Sequence, residues 1–383
     1  MINFPENLDK QQFLKSYWQK KPLLFRNAMD NAEQIISKQQ LFDLSLSEDI
    51  ESRLLMEEGP DEPWQVFHGP QQAEQLQSLS ESSHWTLLVQ SVNLWHQGCK
   101  ELLKDFRFIP EWRLDDIMIS FANEHGTVGP HIDHYDVFLL QLSGSRRWKV
   151  GKPDAEVELI EPDICNQQIK AYPTIIDETL KAGDMLYVPP NTAHHGIGIE
   201  PGMTLSVGFR SPALSEMMMI FAEQVMLSKK ENYFKDPLFS EKASTTEISS
   251  SAMSKAAHWF SNLEDYDALV RKSFGMLQTQ PKQELLLSPI EYAAKEAILS
   301  QQQIRRDPAA RVAWHQVDEL TIWLFINGEC FERSVEDKQW IERYSLINTL
   351  TVENTSTNIQ NDKFIELIQL LMDSGLFGGI DVD

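Results

Sequence analysis

The chain has 383 residues, of which 42% are apolar, enough to build more than one packed core. Its formal net charge is −23, which argues against direct nucleic-acid binding because phosphate contacts require a cationic surface. The three cysteines, Cys99, Cys165 and Cys330, have no paired spacing, which excludes a disulfide framework or a cysteine zinc site.

The N-terminal residues predict a helix and no targeting leader. Residues 1–5 lack the basic and apolar regions of a signal peptide, and no apolar run in the sequence is long enough to span a bilayer. We therefore expect a cytoplasmic protein without a membrane segment. A helix is predicted around residues 9–19, followed by mixed elements and then by a strand-rich stretch at residues 115–210.

Two histidines and a carboxylate in the strand-rich stretch form a candidate metal site. His131 and Asp133 are two residues apart, so on an extended strand both side chains would point to one side. Residues 183–194 read as a turn, an apolar strand and a rigid Pro-Pro-Asn turn that presents His194. Two imidazoles and one carboxylate on one face of an ion leave its other positions open, as in non-haem Fe(II) oxygenases.

Neighbouring residues offer a competing register for each half of this site. Residues 134–136 repeat the His-x-Asp spacing, and His195 adjoins His194. The segment before His194 is similar to the second cupin motif, with Asn191 where the motif usually has glycine. Asn tolerates the left-handed backbone of such a turn. The proline-to-histidine spacing selects His194, and the Gly-Pro pair ahead of His131 selects that histidine. A solvated polar pair is the alternative for an isolated His-x-Asp.

Arg146 is the candidate anchor for an anionic ligand. It follows the apolar run 137–142, which predicts a strand leaving the metal site, and residues 143–145 predict a hairpin turn. The returning strand would bring the Arg146 guanidinium towards the metal, where it would pair bidentately with a carboxylate. A basic surface turn is the alternative, and it fits Arg147 and Lys149 better.

A change of pattern after residue 212 indicates further structural units. The helix predicted at residues 214–227 has too many Met and Phe side chains for one buried stripe, which indicates a second partner surface. Burial against the strand-rich domain is the alternative. Residues 240–256 are small and polar and predict a flexible connection or the start of a weakly anchored helix.

The last part of the chain predicts a winged-helix-like domain. Its pattern combines a hairpin at residues 319–329, with an Asn-Gly turn, and helices at residues 290–303, 336–344 and 362–374. Winged helices often bind DNA, so a transcription factor is a rival interpretation. Lys363 is the sole cation of the acidic last 33 residues, which leaves no basic recognition surface there.

Several strings together resemble the bacterial ribosomal oxygenases of the JmjC/cupin group of 2-oxoglutarate-dependent enzymes. These strings are residues 17–26, 128–138, 146–148, 187–190 and 206–210. The expected fold class is α+β. It comprises a double-stranded β-helix (jelly-roll, cupin/JmjC) catalytic domain at residues 1–211, a helical dimerisation segment at 212–285 and a winged-helix-like domain at 286–383.

The resemblance also implies roles for individual residues. His131, Asp133 and His194 would bind Fe(II), and Arg146 would pair with the distal carboxylate of 2-oxoglutarate. Ser206 matches a serine that helps to bind this co-substrate, and Ser120 is a looser candidate for the same task. O2 is the second co-substrate that the resemblance implies.

The implied reaction is hydroxylation of an arginine on a large-subunit ribosomal protein, conventionally number sixteen. Eukaryotic relatives hydroxylate histidine on other ribosomal proteins, but the metal-site strings match the bacterial branch, which favours arginine. An acidic surface suits such a basic partner. The helices after residue 212 imply a homodimer.

Two other functions compete with the protein hydroxylase. One is a small-molecule cupin enzyme, either an oxygenase or an isomerase with Mn or Zn at the same ligands. Arg146 and the additional domains count against it. The other is a non-catalytic adaptor that holds a ribosomal protein on its acidic surface, and the intact His131, Asp133 and His194 set counts against it.

Overall fold

The chain divides into two units, Met1–Ser211 and Pro212–Asp383. The first unit is built mainly from antiparallel strands. The computed structural model describes residues 2–57, 64–79, 84–158, 169–170, 172–228, 233–237, 246, 248–263 and 265–379. Cys165 lies outside this described part. So do residues 240–245 and 247 of the flexible connection predicted at residues 240–256. The strands of the first unit are β1 (Leu23–Phe25), β2 (Ser52–Glu57), β3 (Gln65–His68), β4 (His84–Val89), β5 (Leu114–Ala122), β6 (Val137–Gln141), β7 (Ser145–Gly151), β8 (Thr174–Lys181), β9 (Met185–Val188), β10 (His194–Glu200) and β11 (Gly202–Phe209).

These strands form two sheets that enclose an apolar interior. The larger sheet has eight strands in the order β1-β9-β6-β11-β5-β4-β2-β3, and the smaller has three in the order β10-β7-β8. Side chains from β6, β7, β8 and β9 meet in the interior, where they form one buried cluster: Val137, Leu139, Trp148, Val150, Leu180, Leu186 and Val188. Two facing sheets around one core are the predicted double-stranded β-helix.

Helices cover the outer face of the larger sheet. They are α1 (Lys10–Ser16), α2 (Lys38–Ser45), α3 (Ala73–Ser78), α4 (Val92–Trp95) and α5 (Gln97–Leu102). The predicted N-terminal helix is therefore present but ends earlier than residue 19. The Asp9 side chain accepts a hydrogen bond from the Gln12 backbone N–H, and the Gln12 side chain returns one, so a capping box starts α1.

Tyr187 ties the N-terminal segment to the outer face of the jelly roll. Its ring packs edge-on against Phe13 of α1, with centroids 5.0 Å apart. Its hydroxyl donates to Asp136 at 2.6 Å and accepts the backbone N–H of Gln19 at 2.7 Å. Arg113 also pairs with the buried Asp136 at 3.2 Å. The residues just after the predicted metal ligands are thus held from the outside of the barrel.

The expected hairpin at residues 143–145 is wrong. β6 and β7 belong to different sheets, since β6 pairs with β9 and β11 while β7 pairs with β8 and β10. Gly144, at φ +63°, turns the chain from the larger sheet into the smaller one. Arg146 therefore enters the barrel interior from the opposite wall.

The expected continuous strand through His131 and Asp133 is also wrong. His131 forms an isolated bridge with His194, and β6 starts only at Val137. The turn before His194 agrees with the prediction, because β9 spans Met185–Val188 and Asn191 takes the left-handed conformation at φ +54°.

The second unit contains helices and two small sheets. Its helices are α6 (Leu214–Leu227), α7 (Ser250–Ser261), α8 (Tyr266–Thr279), α9 (Ala294–Leu299), α10 (Lys338–Tyr344), α11 (Val352–Thr355) and α12 (Asp362–Asp373). Its strands are β12 (Ile304–Arg306), β13 (Val312–Gln316), β14 (Thr321–Ile326), β15 (Glu329–Ser334), β16 (Thr349–Leu350) and β17 (Phe377–Gly379).

The winged-helix elements agree with the sequence prediction, except at α9. β14 and β15 form the expected hairpin around Asn327 and Gly328, both with positive φ. α10 and α12 lie where helices were predicted, but α9 covers only Ala294–Leu299 of the predicted residues 290–303. A separate boundary near residue 285 stays a prediction.

The helix α6 has a solvent-exposed apolar surface. It spans the predicted residues, and none of its side chains is buried. The exposed large side chains are Leu214, Met218, Met219, Met226 and Leu227. In the described part of the chain, none of the helices has the length and apolar character needed to cross a bilayer.

We expect Tyr187→Phe to destabilise the first unit by about 1 to 3 kcal/mol, because the Gln19 N–H and Asp136 lose a buried partner. Urea unfolding monitored by tryptophan fluorescence would measure this loss. Tyr292→Phe is the control, since Tyr292 is 51% exposed. An unchanged unfolding midpoint for Tyr187→Phe would contradict this role of the hydroxyl.

Candidate metal and anion site

The structure brings His131, Asp133 and His194 together at one end of the barrel. One potential ligand atom from each lies within 4.8 Å of the others. The Asp133 Oδ2 atom is 3.9 Å from His131 Nε2 and 3.5 Å from His194 Nε2. Ligand atoms bound to one ion at about 2.1 Å lie at most about 4.2 Å apart. Both separations satisfy that limit, so Asp133 can share one divalent cation with either imidazole, and the three residues form a candidate ligand set.

The two imidazoles are oriented by their own backbone. His131 Nδ1 is 3.0 Å from the carbonyl oxygen of Gly129, and His194 Nδ1 is 2.9 Å from that of Thr192. A carbonyl oxygen only accepts, so each Nδ1 carries the proton and each Nε2 keeps its lone pair for a metal. Burial, together with the nearby His131 ring, lowers the pKa of His194 to about 4. The His194 ring is therefore neutral at neutral pH.

The competing register does not converge on this point. His134 is exposed, and its Nδ1 contacts Asn191 Oδ1 at 2.7 Å. Asp136 faces the outside of the barrel, where it accepts the Tyr187 hydroxyl. His195 points away from His194 along β10, and its Nε2 contacts the Thr127 hydroxyl at 2.9 Å. The predicted choice of His131 and His194 thus agrees with the geometry.

Arg146 lies inside the barrel, with only 7% of its surface exposed. Its Nη1 donates to the Ser120 hydroxyl at 3.1 Å, and its guanidinium carbon lies 5.6 Å from the Trp148 ring centre. Among the residues that the structure describes, no carboxylate forms an ion pair with it. Burial lowers the pKa of Arg146 to about 10, so the group is still charged at neutral pH. A buried cation with one neutral partner can hold an anion.

The remaining predicted residues line the same interior. Ser120 lies opposite Thr204 on β11, and Ser206 lies opposite Leu139, a member of the interior cluster. Both serines are buried. Ser120 contacts Arg146 directly, whereas no described residue hydrogen-bonds the Ser206 hydroxyl.

The register of β7 and β10 places the candidate metal ligand His194 and the candidate anion-binding residue Arg146 on the same face of the smaller sheet. On paired strands β7 and β10, His194 lies opposite Val150, and Gly198 lies opposite Arg146. Between these levels Gly196 lies opposite Trp148, and a Cβ atom added to Gly196 would come within 2.8 Å of the Trp148 indole. A glycine is therefore needed there for the indole to occupy its place between the two ends.

Sequence reasoning missed several contributors. Tyr135 lies in the same string as the ligands, and burial together with the charge of Asp133 raises its pKa. The carbonyls of Gly129 and Thr192 both lie two residues before a ligand histidine, a spacing that could have been noticed. Trp148 gave no such signal, because its position follows from packing between two sheets.

This fold and this site define a jelly-roll protein with a two-histidine, one-carboxylate metal site and a buried cation beside it. A family model described as a JmjC domain matches residues 101–217, which include all the predicted site residues. A second model, described as a ROXA-like winged helix, matches residues 257–377.

Individual relatives extend the similarity over nearly the whole chain. The ribosomal protein uL16 3-hydroxylase of Escherichia coli (strain K12) is 32% identical over 98% of this chain and 97% of its own length. A probable ribosomal oxygenase of Haemophilus influenzae is 40% identical over 56% of this chain and 52% of its own length. The structure of the Escherichia coli ribosomal oxygenase YcfD with cobalt and 2-oxoglutarate matches with a TM-score of 0.79 and 31% identity, over 97% of this chain and 98% of that one. The chain belongs to the JmjC-domain ribosomal oxygenases.

We expect His131→Ala and Asp133→Ala each to weaken Co²⁺ binding by more than about 100-fold, since outer-shell changes alone cost about 10- to 100-fold. Titration calorimetry with Co²⁺ would measure the affinity. His134→Ala is the matched control and should bind as the unchanged protein does. Loss of binding in His134→Ala with retention in His131→Ala would favour the competing register.

Proposed function

We propose that this chain is an Fe(II)- and 2-oxoglutarate-dependent oxygenase that hydroxylates an arginine of ribosomal protein uL16. The observation that carries the proposal is the pairing, inside one barrel, of a His131, Asp133 and His194 set with the buried cation Arg146. A metal site alone would fit many cupin enzymes. The additional buried guanidinium supports a dicarboxylate co-substrate held at both ends.

Each group would have a separate task. His131, Asp133 and His194 would occupy one face of the metal and leave the opposite face open to ligands. Arg146, oriented by Ser120, would bind the distal carboxylate of 2-oxoglutarate, and Ser206 would supply a further hydrogen bond. When bound, Fe(II) with 2-oxoglutarate and O2 supplies the oxidising chemistry that inserts oxygen into a C–H bond.

The proposed substrate rests on the relatives and on charge. The Escherichia coli relative acts on uL16 according to its name. This chain carries a net charge of −23, and an acidic surface attracts a basic ribosomal protein over a distance. The same charge disfavours direct contact with nucleic acid, so recognition would depend on the protein substrate.

We also propose a cytoplasmic homodimer. The exposed Met and Leu side chains of α6 form an apolar surface on a helix with no buried residue, which suits contact with a second copy. The residues of the second unit would thus divide into a dimerisation segment at 212–285 and a winged-helix-like domain at 286–383.

The direct test is incubation of purified uL16 with this protein, Fe(II), 2-oxoglutarate and O2. We expect one added oxygen atom on uL16, localised to an arginine by fragmentation mass spectrometry, with one succinate per modified residue. Asp133→Ala is the inactive control. Turnover of 2-oxoglutarate with no change in any ribosomal protein would instead support the small-molecule cupin enzyme, and absence of turnover would support the adaptor.

We expect Arg146→Ala to cost about 2 to 5 kcal/mol of 2-oxoglutarate binding, the usual range for a truncated buried charge pair. The dissociation constant measured on Co²⁺-loaded protein should then rise at least about 30-fold. Arg147→Ala is the matched control, since Arg147 is exposed and pairs with Asp177 at 2.6 Å. Equal affinities for Arg146→Ala and Arg147→Ala would remove Arg146 from the co-substrate site.

A further inference from the structure

We propose that His195 and Thr127 are positioning residues that hold His131 in its metal-binding orientation. The inference rests on the proposed metal site and adds residues that do not touch the metal. It assigns a function to His195, which the sequence offers as an alternative metal ligand to His194.

A chain of hydrogen bonds leads from His195 to His131. His195 Nε2 lies 2.9 Å from the Thr127 hydroxyl oxygen. That oxygen accepts the backbone N–H of Gly129 at 3.0 Å. The Gly129 carbonyl in turn accepts His131 Nδ1–H at 3.0 Å. Both backbone polar groups of Gly129 are therefore hydrogen-bonded, the N–H to Thr127 and the C=O to the proposed ligand His131.

The Thr127 hydroxyl links two partners because it has one proton and two lone pairs. One lone pair accepts the Gly129 N–H. Towards His195 Nε2 the hydroxyl donates when that nitrogen carries no proton and accepts when it does. Either tautomer of His195 makes this hydrogen bond, and a Phe side chain makes neither.

The hydrogen bond between Thr127 and His195 joins the segment before His131 to β10 between two backbone contacts. At one end the Gly126 carbonyl accepts the Gly198 N–H at 3.0 Å. At the other end His131 and His194 exchange two backbone hydrogen bonds of 3.0 Å. Other elements also hold this segment, since the Thr127 carbonyl accepts the Thr86 hydroxyl at 3.2 Å and the Pro130 carbonyl accepts the Ile169 N–H at 2.9 Å. Thr127 and His195 add a side-chain link to the strand that carries His194.

The consequence concerns the two proposed histidine ligands together. His195 is next to His194 on β10. The chain of hydrogen bonds therefore connects the strand that carries His194 to the loop that carries His131. Without it, the Gly129 N–H would lose its side-chain acceptor, and the Gly129 carbonyl would hold the His131 ring less firmly. Partners that orient metal ligands typically change metal affinity by about 10- to 100-fold.

The test uses Co²⁺ as the probe with full-length protein. We expect Thr127→Val and His195→Phe each to weaken Co²⁺ binding about 10-fold, the lower end of that range. Both should also alter the visible absorption of the bound Co²⁺, which reports ligand geometry. Thr127→Ser retains the hydroxyl and should restore both values. Thr355→Val, which removes a buried hydroxyl in the second unit, is the control for an effect on folding.

A double variant tests whether the Thr127 and His195 side chains act together through one series of hydrogen bonds. If they do, Thr127→Val combined with His195→Phe should lose no more Co²⁺ affinity than either single change. Additive losses, or single variants with unchanged affinity and spectrum, would overturn the inference while leaving the metal site intact. Failure of the unchanged protein to bind Co²⁺ would overturn the proposed function as well.

Discussion

Two backbone hydrogen bonds between His131 and His194 determine where the rest of the site lies. They join a loop before β6 to the first residue of β10, positions that are far apart in the sequence. Each ring is then rotated by a carbonyl two residues earlier, so that both Nε2 atoms face Asp133. Because backbone groups set this geometry, the two imidazoles have few alternative orientations, which reduces the cost of binding an ion.

The alternation of strand residues separates two environments within a few ångströms. Outside the larger sheet, aromatic side chains pack against the N-terminal helix, and Tyr187 and Asp136 form a buried hydrogen-bonded pair beside them. Inside, the same strands present Ser120, Thr204 and Ser206 to the facing sheet. Burying the Arg146 charge costs free energy unless an opposite charge compensates it. A fold that keeps this cation in place is therefore well suited to bind an anionic co-substrate.

The second unit contains a winged-helix domain, a fold that can bind nucleic acid, and its helix α12 carries a single cation. The cation of α12, Lys363, pairs with Glu336 at 2.6 Å. Phosphate recognition needs cations that are not already neutralised by neighbouring carboxylates. In the described part of this unit the more distinctive surface is the apolar face of α6, which is consistent with protein contacts.

The sequence by itself determined the residue types and the local elements. The His-x-Asp spacing, the Pro-Pro-Asn turn, the Asn-Gly hairpin and the pattern of α6 and α12 depend on neighbouring residues, and each was predictable for that reason. The extended strand through Asp133 and the hairpin before Arg146 were wrong, because local pattern does not say which strand a segment pairs with. Tertiary structure alone decided that β6 and β7 lie in opposite sheets, that Arg146 reaches the interior from the smaller sheet, and that His195 faces Thr127. Those outcomes depend on contacts between distant segments, which form only when the two sheets pack together.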